Sequence, residues 1–401
     1  MPSRLTIDKF SVRNFRSIIS CDVDLAPLTF FVGANSSGKT SFLDALSFIS
    51  SVVSTSLKRA VADRRGVHPI LHYPPTFPSA SEFKFSISST SGTAFKYDLS
   101  LVFEKSGEAS VLREECRIRT YEGIEHFYLV ENGSIEGSAP KFPDFDAEFT
   151  LLSKVSAWAE YDVLYGLLAG MMIVEPATTG VYETARRLWE RSGKMNKALK
   201  AIRQGNSLAS SDSEHSEQSL TARFKKLQTD HPERLEIILQ YLRAIAPPFD
   251  RIQLHEANDL TWLRFIDKFP SGKQSSYDMA SVSSGLLNSA NLLAQLFNSN
   301  DVDKPMPPIV VEEPEALLHP GAIHVIRESF FEASEIRQVL VTSHSPELLD
   351  EIPPESIRSV YRDEAGTHII PLDEATKSVL KDQLYTAGEL LRQGGLIRRP
   401  D

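Results

Sequence analysis

An α/β fold with two lobes is predicted by three features of the chain. A short apolar strand runs into a glycine-rich loop and then a helix near the N-terminus, a second apolar strand ends in paired acids near residue 312, and a third ends in Ser-His at 343–344. Strands that deliver polar residues at their C-terminal tips, with helices between them, are the pattern of a largely parallel sheet. At 401 residues, with 41% hydrophobic and 24% charged, the chain can bury a large core and divide into lobes.

Residues 4 to 32 read as strands: Leu5-Thr-Ile, Phe10-Ser-Val, Cys21 to Leu25 with period-two alternation, and the wholly apolar Leu28-Thr-Phe-Phe-Val32. The loop that follows, Gly33-Ala-Asn35-Ser36-Ser37-Gly38-Lys39-Thr40, fits G-x-x-x-x-G-K-[ST]. From Ser41 to Ile49 the spacing of Phe42, Leu46 and Ile49 predicts a helix with one apolar face. Such a loop aims backbone N–H groups and a helix N-terminus at phosphates. Lys39 would reach the β/γ-phosphates and the Thr40 hydroxyl would ligate Mg²⁺.

A proline-rich connection, His68 to Pro78, leads to an antiparallel meander from Phe83 to Val130, and a first lobe is expected over 1–146. Helical periodicity dominates 147–248, interrupted at Asn206 to Ser219 by small, polar and acidic residues that cannot bury enough surface to order themselves. No sustained heptads flank that stretch, which excludes a long coiled-coil arm. Strands resume at Phe249 to Leu254 and Thr261 to Ile266, opening a second lobe over 249–401. No internal repeat is visible.

Pro308-Ile-Val-Val311 carries Glu312 and Glu313 to a strand's end, where Glu312 can hold Mg²⁺ and Glu313 can polarise an attacking water. Gln338 to Thr342 likewise ends beside His344, placed to contact a γ-phosphate. Ser281-Val-Ser283-Ser284-Gly285 opens an apolar helix, Leu286 to Phe297. Hydroxyls and glycine at a helix N-terminus make a simple cap or a second anion site, and the latter would serve a nucleotide held by another copy.

The formal net charge of -10 argues against a surface that coats nucleic acid everywhere. Glu183 to Arg203 is locally basic, so nucleic-acid contact is compatible with the sequence but not required by it. Cys21 and Cys116 lie far apart and lack metal-ligand spacing, which argues against a disulfide framework or zinc site. No apolar run reaches membrane-spanning length and the opening residues lack a signal-peptide core, so a cytoplasmic protein without a membrane partner is expected.

In this order the motifs resemble those of ABC-type ATPases of the SMC, RecF and OLD group, the AAA-15 and AAA-21 families. The matching residues are Val12-Arg-Asn-Phe-Arg16-Ser, Gly33 to Thr40, Val282-Ser-Ser-Gly285, Glu312 to Pro320 and Thr342-Ser-His344-Ser-Pro. The resemblance implies a two-lobed cassette with a mixed sheet, a β meander and a helical insertion. Two copies would face head to tail, as a homodimer or within a higher oligomer, and sandwich two ATP molecules with Mg²⁺. It places Gly33, Asn35 to Ser41 and Arg16 around the nucleotide. Ser283, Ser284 and Gly285 would meet the partner's γ-phosphate, Leu317 to Pro320 would form the D-loop, and Lys39, Glu313 and His344 would act in hydrolysis.

The sequence also departs from the family's pattern. No glutamine marks a Q-loop, and the signature is Val-Ser-Ser-Gly in place of Leu-Ser-Gly-Gly-Gln. The metal-dependent TOPRIM domain of OLD nucleases has no counterpart after His344; Asp22-Val-Asp24 and Asp301-Val-Asp303 fit its Asp-x-Asp in name only. The expectation is a slow ATPase with no nuclease activity of its own. It would resemble the sensor subunits of anti-phage systems such as PARIS and Septu, which control a separate nuclease or toxin encoded nearby. A RecF-like DNA-binding repair ATPase and a scaffold that binds ATP without turnover are the rivals.

Overall fold

The computed structural model describes residues 4–139, 141–174, 220–257, 260–298, 304–318 and 320–396. The basic stretch Glu183 to Arg203, the polar segment Asn206 to Ser219, Asp301 to Asp303 and His319 lie outside them. Contacts divide the chain into one unit of Met1–Ile173, Asp303–Glu313 and Phe331–Asp401, and another of Val174–Val302 and Pro314–Phe330.

The first unit holds an antiparallel sheet of β1 (Leu5–Phe15), β2 (Ile18–Asp24), β4 (Ser79–Ser89), β5 (Ala94–Phe103), β6 (Ala109–Arg119), β7 (Glu125–Glu131) and β8 (Ser134–Gly137), in the order β2-β1-β4-β5-β6-β7-β8. The two short strands expected over Leu5 to Val12 are one. A bulge at Asp8, between the pairs Ile7–Ile87 and Lys9–Ser86, resets the side-chain phase, so that Ile7 and Phe10 both point inward. Strands β4 to β7 form the expected meander, each antiparallel to the next. In β4, Phe83, Phe85 and Ile87 are buried while Lys84 is exposed, the alternation of a sheet with one covered face.

The second sheet of this unit runs β16-β15-β3-β14-β13-β9, comprising β3 (Leu28–Val32), β9 (Met172–Val174), β13 (Ile309–Glu312), β14 (Val339–Ser343), β15 (Ile357–Asp363) and β16 (Gly366–Pro371). Every residue of β3 and β14 is buried, which is why both read as unbroken apolar runs with only small hydroxyls. β3 is parallel to β14 and β15, and β13 is parallel to β14. The register pairs Val32 with both Ser343 and Ser359, and Glu312 with Thr342. The C-terminal ends of four strands therefore come out along one edge.

Helix α1 (Lys39–Ser54) joins the two sheets: Phe42 packs 5.3 Å from Phe10 of β1 and 5.1 Å from Phe31 of β3. After α2 (Leu57–Asp63), helices α3 (Leu151–Lys154) and α4 (Ala159–Ala169) bury Leu151, Leu152, Leu164 and Leu168 in the same core. The sequence cut at 146/147 thus falls inside this unit, because the apolar faces of α3 and α4 are spent on the first lobe and not on an insertion. Glu114 ties the meander to α3. Fully buried, its carboxylate accepts from Tyr97 Oη (3.1 Å), Tyr128 Oη (2.7 Å), Leu151 N (2.5 Å) and Leu152 N (2.9 Å).

The second unit contains the helices Leu220–Asp230 and Pro232–Ile245, the latter opened by proline at its first turn. An antiparallel sheet of β10 (Phe249–Ala257), β11 (Leu260–Lys268) and β12 (Gln274–Asp278) follows, and then the helix Ser284–Phe297. β12 is almost entirely exposed and polar, so no apolar alternation announced it.

Candidate functional site

The loop from Gly33 to Gly38 leaves β3 at the sheet edge and enters α1. Gly38 has φ 107°, and a Cβ there would stand 2.0 Å from Thr367 Oγ1; one on Gly33 would stand 2.2 Å from the Val360 carbonyl. Both positions require glycine, one for conformation and both for space. Lys39 is 5% exposed and donates from Nζ to the carbonyls of Gly33 (2.7 Å) and Ala34 (3.1 Å). Its ammonium lies 3.9 Å from Glu313 Oε1.

Strands β13 and β14 bring the acids and the histidine to this loop. Thr40 Oγ1 donates to Glu312 Oε1, joining the first turn of α1 to the end of β13. Glu313 has φ 39°, a conformation uncommon for a residue with a side chain, and its N–H is held by the carbonyl (3.1 Å) and hydroxyl (3.2 Å) of Thr342. That backbone aims Oε1 at Lys39 on one side and at His344 Nδ1, 3.3 Å away, on the other.

A cavity of about 300 Å³ is lined by Ser17, Asn35, Ser36, Ser37, Gly38, Lys39, Thr40, Ser41, Glu313 and Arg362. The Ser37 hydroxyl is buried there without a hydrogen-bond partner. That orphaned hydroxyl and the two glycines that leave no room for a Cβ fit a phosphate chain. Thr40 and Glu312 offer touching oxygens, the donor type a hard divalent cation takes.

Arg16, next in the chain to Ser17 of the lining, pairs through Nε with Asp44 at 2.9 Å, and Arg64 binds the same carboxylate at 2.7 Å. Ser283, Ser284 and Gly285 belong to the second unit. Ser283 caps the helix Ser284–Phe297, its hydroxyl accepting from Leu286 N at 3.3 Å. Sequence reasoning named Ser17 only as the end of the Val12 to Ser17 motif, with no role, and missed Arg362 and Thr367. The last is 1% exposed and shares its hydroxyl proton between Ser17 Oγ (2.8 Å) and the Ser37 carbonyl (3.1 Å); Ser17 in turn donates to Ser41 Oγ at 2.8 Å. No local pattern marks Arg362 or Thr367, because they reach the loop only through pairing of distant strands.

A phosphate loop on the central strand of a mixed sheet, with an acid and a histidine brought in by the neighbouring parallel strands, defines an ABC-type ATPase. Solved folds agree. The SMC head bound to the C-winged helix domain of ScpA matches with TM-score 0.50 and 14% identity over 92% of this chain and 99% of that one. The Pyrococcus furiosus SMC head with an extended coiled coil, bound to the C-terminal domain of ScpA, matches with TM-score 0.52 and 12% identity over 95% and 100%. Residues 6–129 match the family model "AAA ATPase domain", and residues 185–350 match "AAA domain, putative AbiEii toxin, Type IV TA system". The Old nuclease of Escherichia phage P2 is 32% identical over 107 residues, which are 26% of this chain and only 17% of that protein. Two AAA ATPase-domain models thus match separate stretches of the chain, and its fold is that of the SMC heads. ATPases of this kind use ATP with Mg²⁺. Among the described residues no helix is long and apolar enough to cross a membrane.

Proposed function

We propose that this chain is an ATP-gated switch that binds and slowly hydrolyses ATP, and whose ATP-bound dimer controls a separate effector, a nuclease or toxin, in anti-phage defence. The observation that carries the hydrolytic part is Glu313, whose Oε1 faces both Lys39 and His344 from a strained backbone. The loop N–H groups from Asn35 to Ser41 and the Lys39 ammonium hold the phosphates, and exchange of the Gly33 and Ala34 carbonyls for phosphate oxygens leaves Lys39 aimed at the β/γ end. Thr40 and Glu312 hold Mg²⁺, which supplies neutralisation of charge on the phosphate oxygens.

Glu313 accepts a proton from the attacking water, and His344, donating to the γ-phosphate, distinguishes triphosphate from diphosphate. Ser283, Ser284 and Gly285, exposed or half-exposed at a helix start, complete the site of a second copy. The chain itself cuts no nucleic acid and works in the cytoplasm. The RecF-like alternative draws on Arg186 to Arg203, outside the described residues, and nothing in the site favours it.

Phosphate release by the wild type and by Glu313→Gln tests this reading. General-base loss should slow release by about 10²-fold or more while ATP binding persists. In mass photometry Glu313→Gln with ATP should accumulate a species of at least twice the monomer mass. Equal release by both proteins would sink the role of Glu313, and an ATP-independent mass would sink the site shared between copies.

A further inference from the structure

We infer that Arg362 is a nucleotide-recognition residue that binds the end of the triphosphate remote from hydrolysis, the α-phosphate. The inference rests on the reading of this cavity as an ATP site. Its basis is the hairpin β15–β16, which flanks β3 on the side opposite β14 and β13. β15 pairs with β3 up to Ser359 against Val32 and then runs on past the end of β3, so that the Val360 carbonyl closes on Gly33.

Beyond that point Arg362 and Thr367 are direct cross-strand partners, which puts their side chains on one face of the hairpin. Thr367 fixes that face to the phosphate loop through the Ser37 carbonyl and to the start of α1 through Ser17 and Ser41. Arg362 is exposed and lines the cavity, and among the described residues its guanidinium makes no hydrogen bond or ion pair.

The lining carries two cations, Lys39 and Arg362, and one acid, Glu313. Lys39, Glu313 and His344 are grouped by their own contacts on the flank of β13 and β14. Arg362 enters from the other flank, as the cross-strand partner of the Thr367 that bonds Ser17 and through it Ser41, so the γ-phosphate falls to the first group and the α-phosphate to Arg362. A planar fork of N–H donors suits phosphate oxygens, and a contact there is made equally by ATP and by its product ADP. Arg362 therefore sets affinity for the nucleotide as a whole and does not sense its hydrolysis.

Calorimetric titration of ADP and of the non-hydrolysable AMP-PNP, with Mg²⁺, into the wild type, Arg362→Ala, Arg362→Lys and His344→Ala tests this. Arg362→Ala should weaken both ligands by the same factor, about tenfold for one charge-assisted contact, and Arg362→Lys should recover part of that loss. In turnover KM should rise with kcat held within about threefold, the sign of binding lost equally in ground and transition states. His344→Ala should weaken AMP-PNP alone. Arg362→Ala affinities within twofold of wild type, or weakening confined to AMP-PNP, would overturn the assignment while leaving the ATP site intact. A wild type that binds neither ligand would bring down the ATP reading and this inference together.

Discussion

Replacing Glu114 by glutamine probes the joint between the β meander and helix α3. Of its four donors, Tyr97, Tyr128 and Leu152 bond to Oε1 and Leu151 bonds to Oε2. A glutamine that keeps its carbonyl at Oε1 retains three and sets an NH₂ against the Leu151 N–H, two donors face to face. One hydrogen bond is lost and a buried N–H is left without an acceptor, roughly 1–3 kcal/mol of stability. Burial pushes the Glu114 carboxyl above its usual range, against the pull of its hydrogen-bond donors. The folded chain then holds that proton more tightly than the unfolded chain does. Its contribution is complete below the ordinary glutamate pKa and fades as pH rises through the raised value. Glutamine cannot titrate, so the gap between wild type and variant should narrow from pH 5 to pH 9. Urea unfolding at the two pH values measures it. A gap below about 0.5 kcal/mol at pH 5, outside the range expected for a buried donor left unsatisfied, or one that widens with pH, would refute the reasoning.

Gly38→Ala should abolish measurable ATP binding, because the new methyl would stand 2.0 Å from Thr367 Oγ1 on a backbone of φ 107°. Adding Thr367→Ala should not restore binding in the same titration, since the backbone strain remains. The Cys21 thiol is pushed up to about 12 and the Cys116 thiol well above its usual value, both by burial. Ellman's reagent at pH 8 should therefore find no reactive thiol in the native protein and both in denaturant.

What could be read from the sequence is what a run of neighbours encodes. The wholly buried β3, its loop and the face of α1 follow one another along the chain, and β13 and β14 announce themselves as apolar runs ending in acids or Ser-His. The second wall of the site was illegible for the same reason. Arg362 and Thr367 matter because one hairpin pairing sets them beside a loop made from residues 33 to 38, and neither has a local pattern that says so. Arg16 has a partner that no motif foretold: Asp44 of α1, whose carboxylate it shares with Arg64. Helices α3 and α4 carried a correct period but no mark of which core they join; only the packing of Leu151, Leu164 and Leu168 decides it.

The sheet order also governs how this protein can be made. β3 is flanked on both sides by strands that follow it by some three hundred positions, β14 at Val339–Ser343 and β15 at Ile357–Asp363. During synthesis its two edges stay open until nearly the whole described chain has left the ribosome. An apolar strand with both edges unpaired is a template for wrong partners, and pairing across such a separation is slow. Fragments that stop before β14 should therefore aggregate, even though they contain the whole phosphate loop. The chain cannot acquire its nucleotide site in instalments.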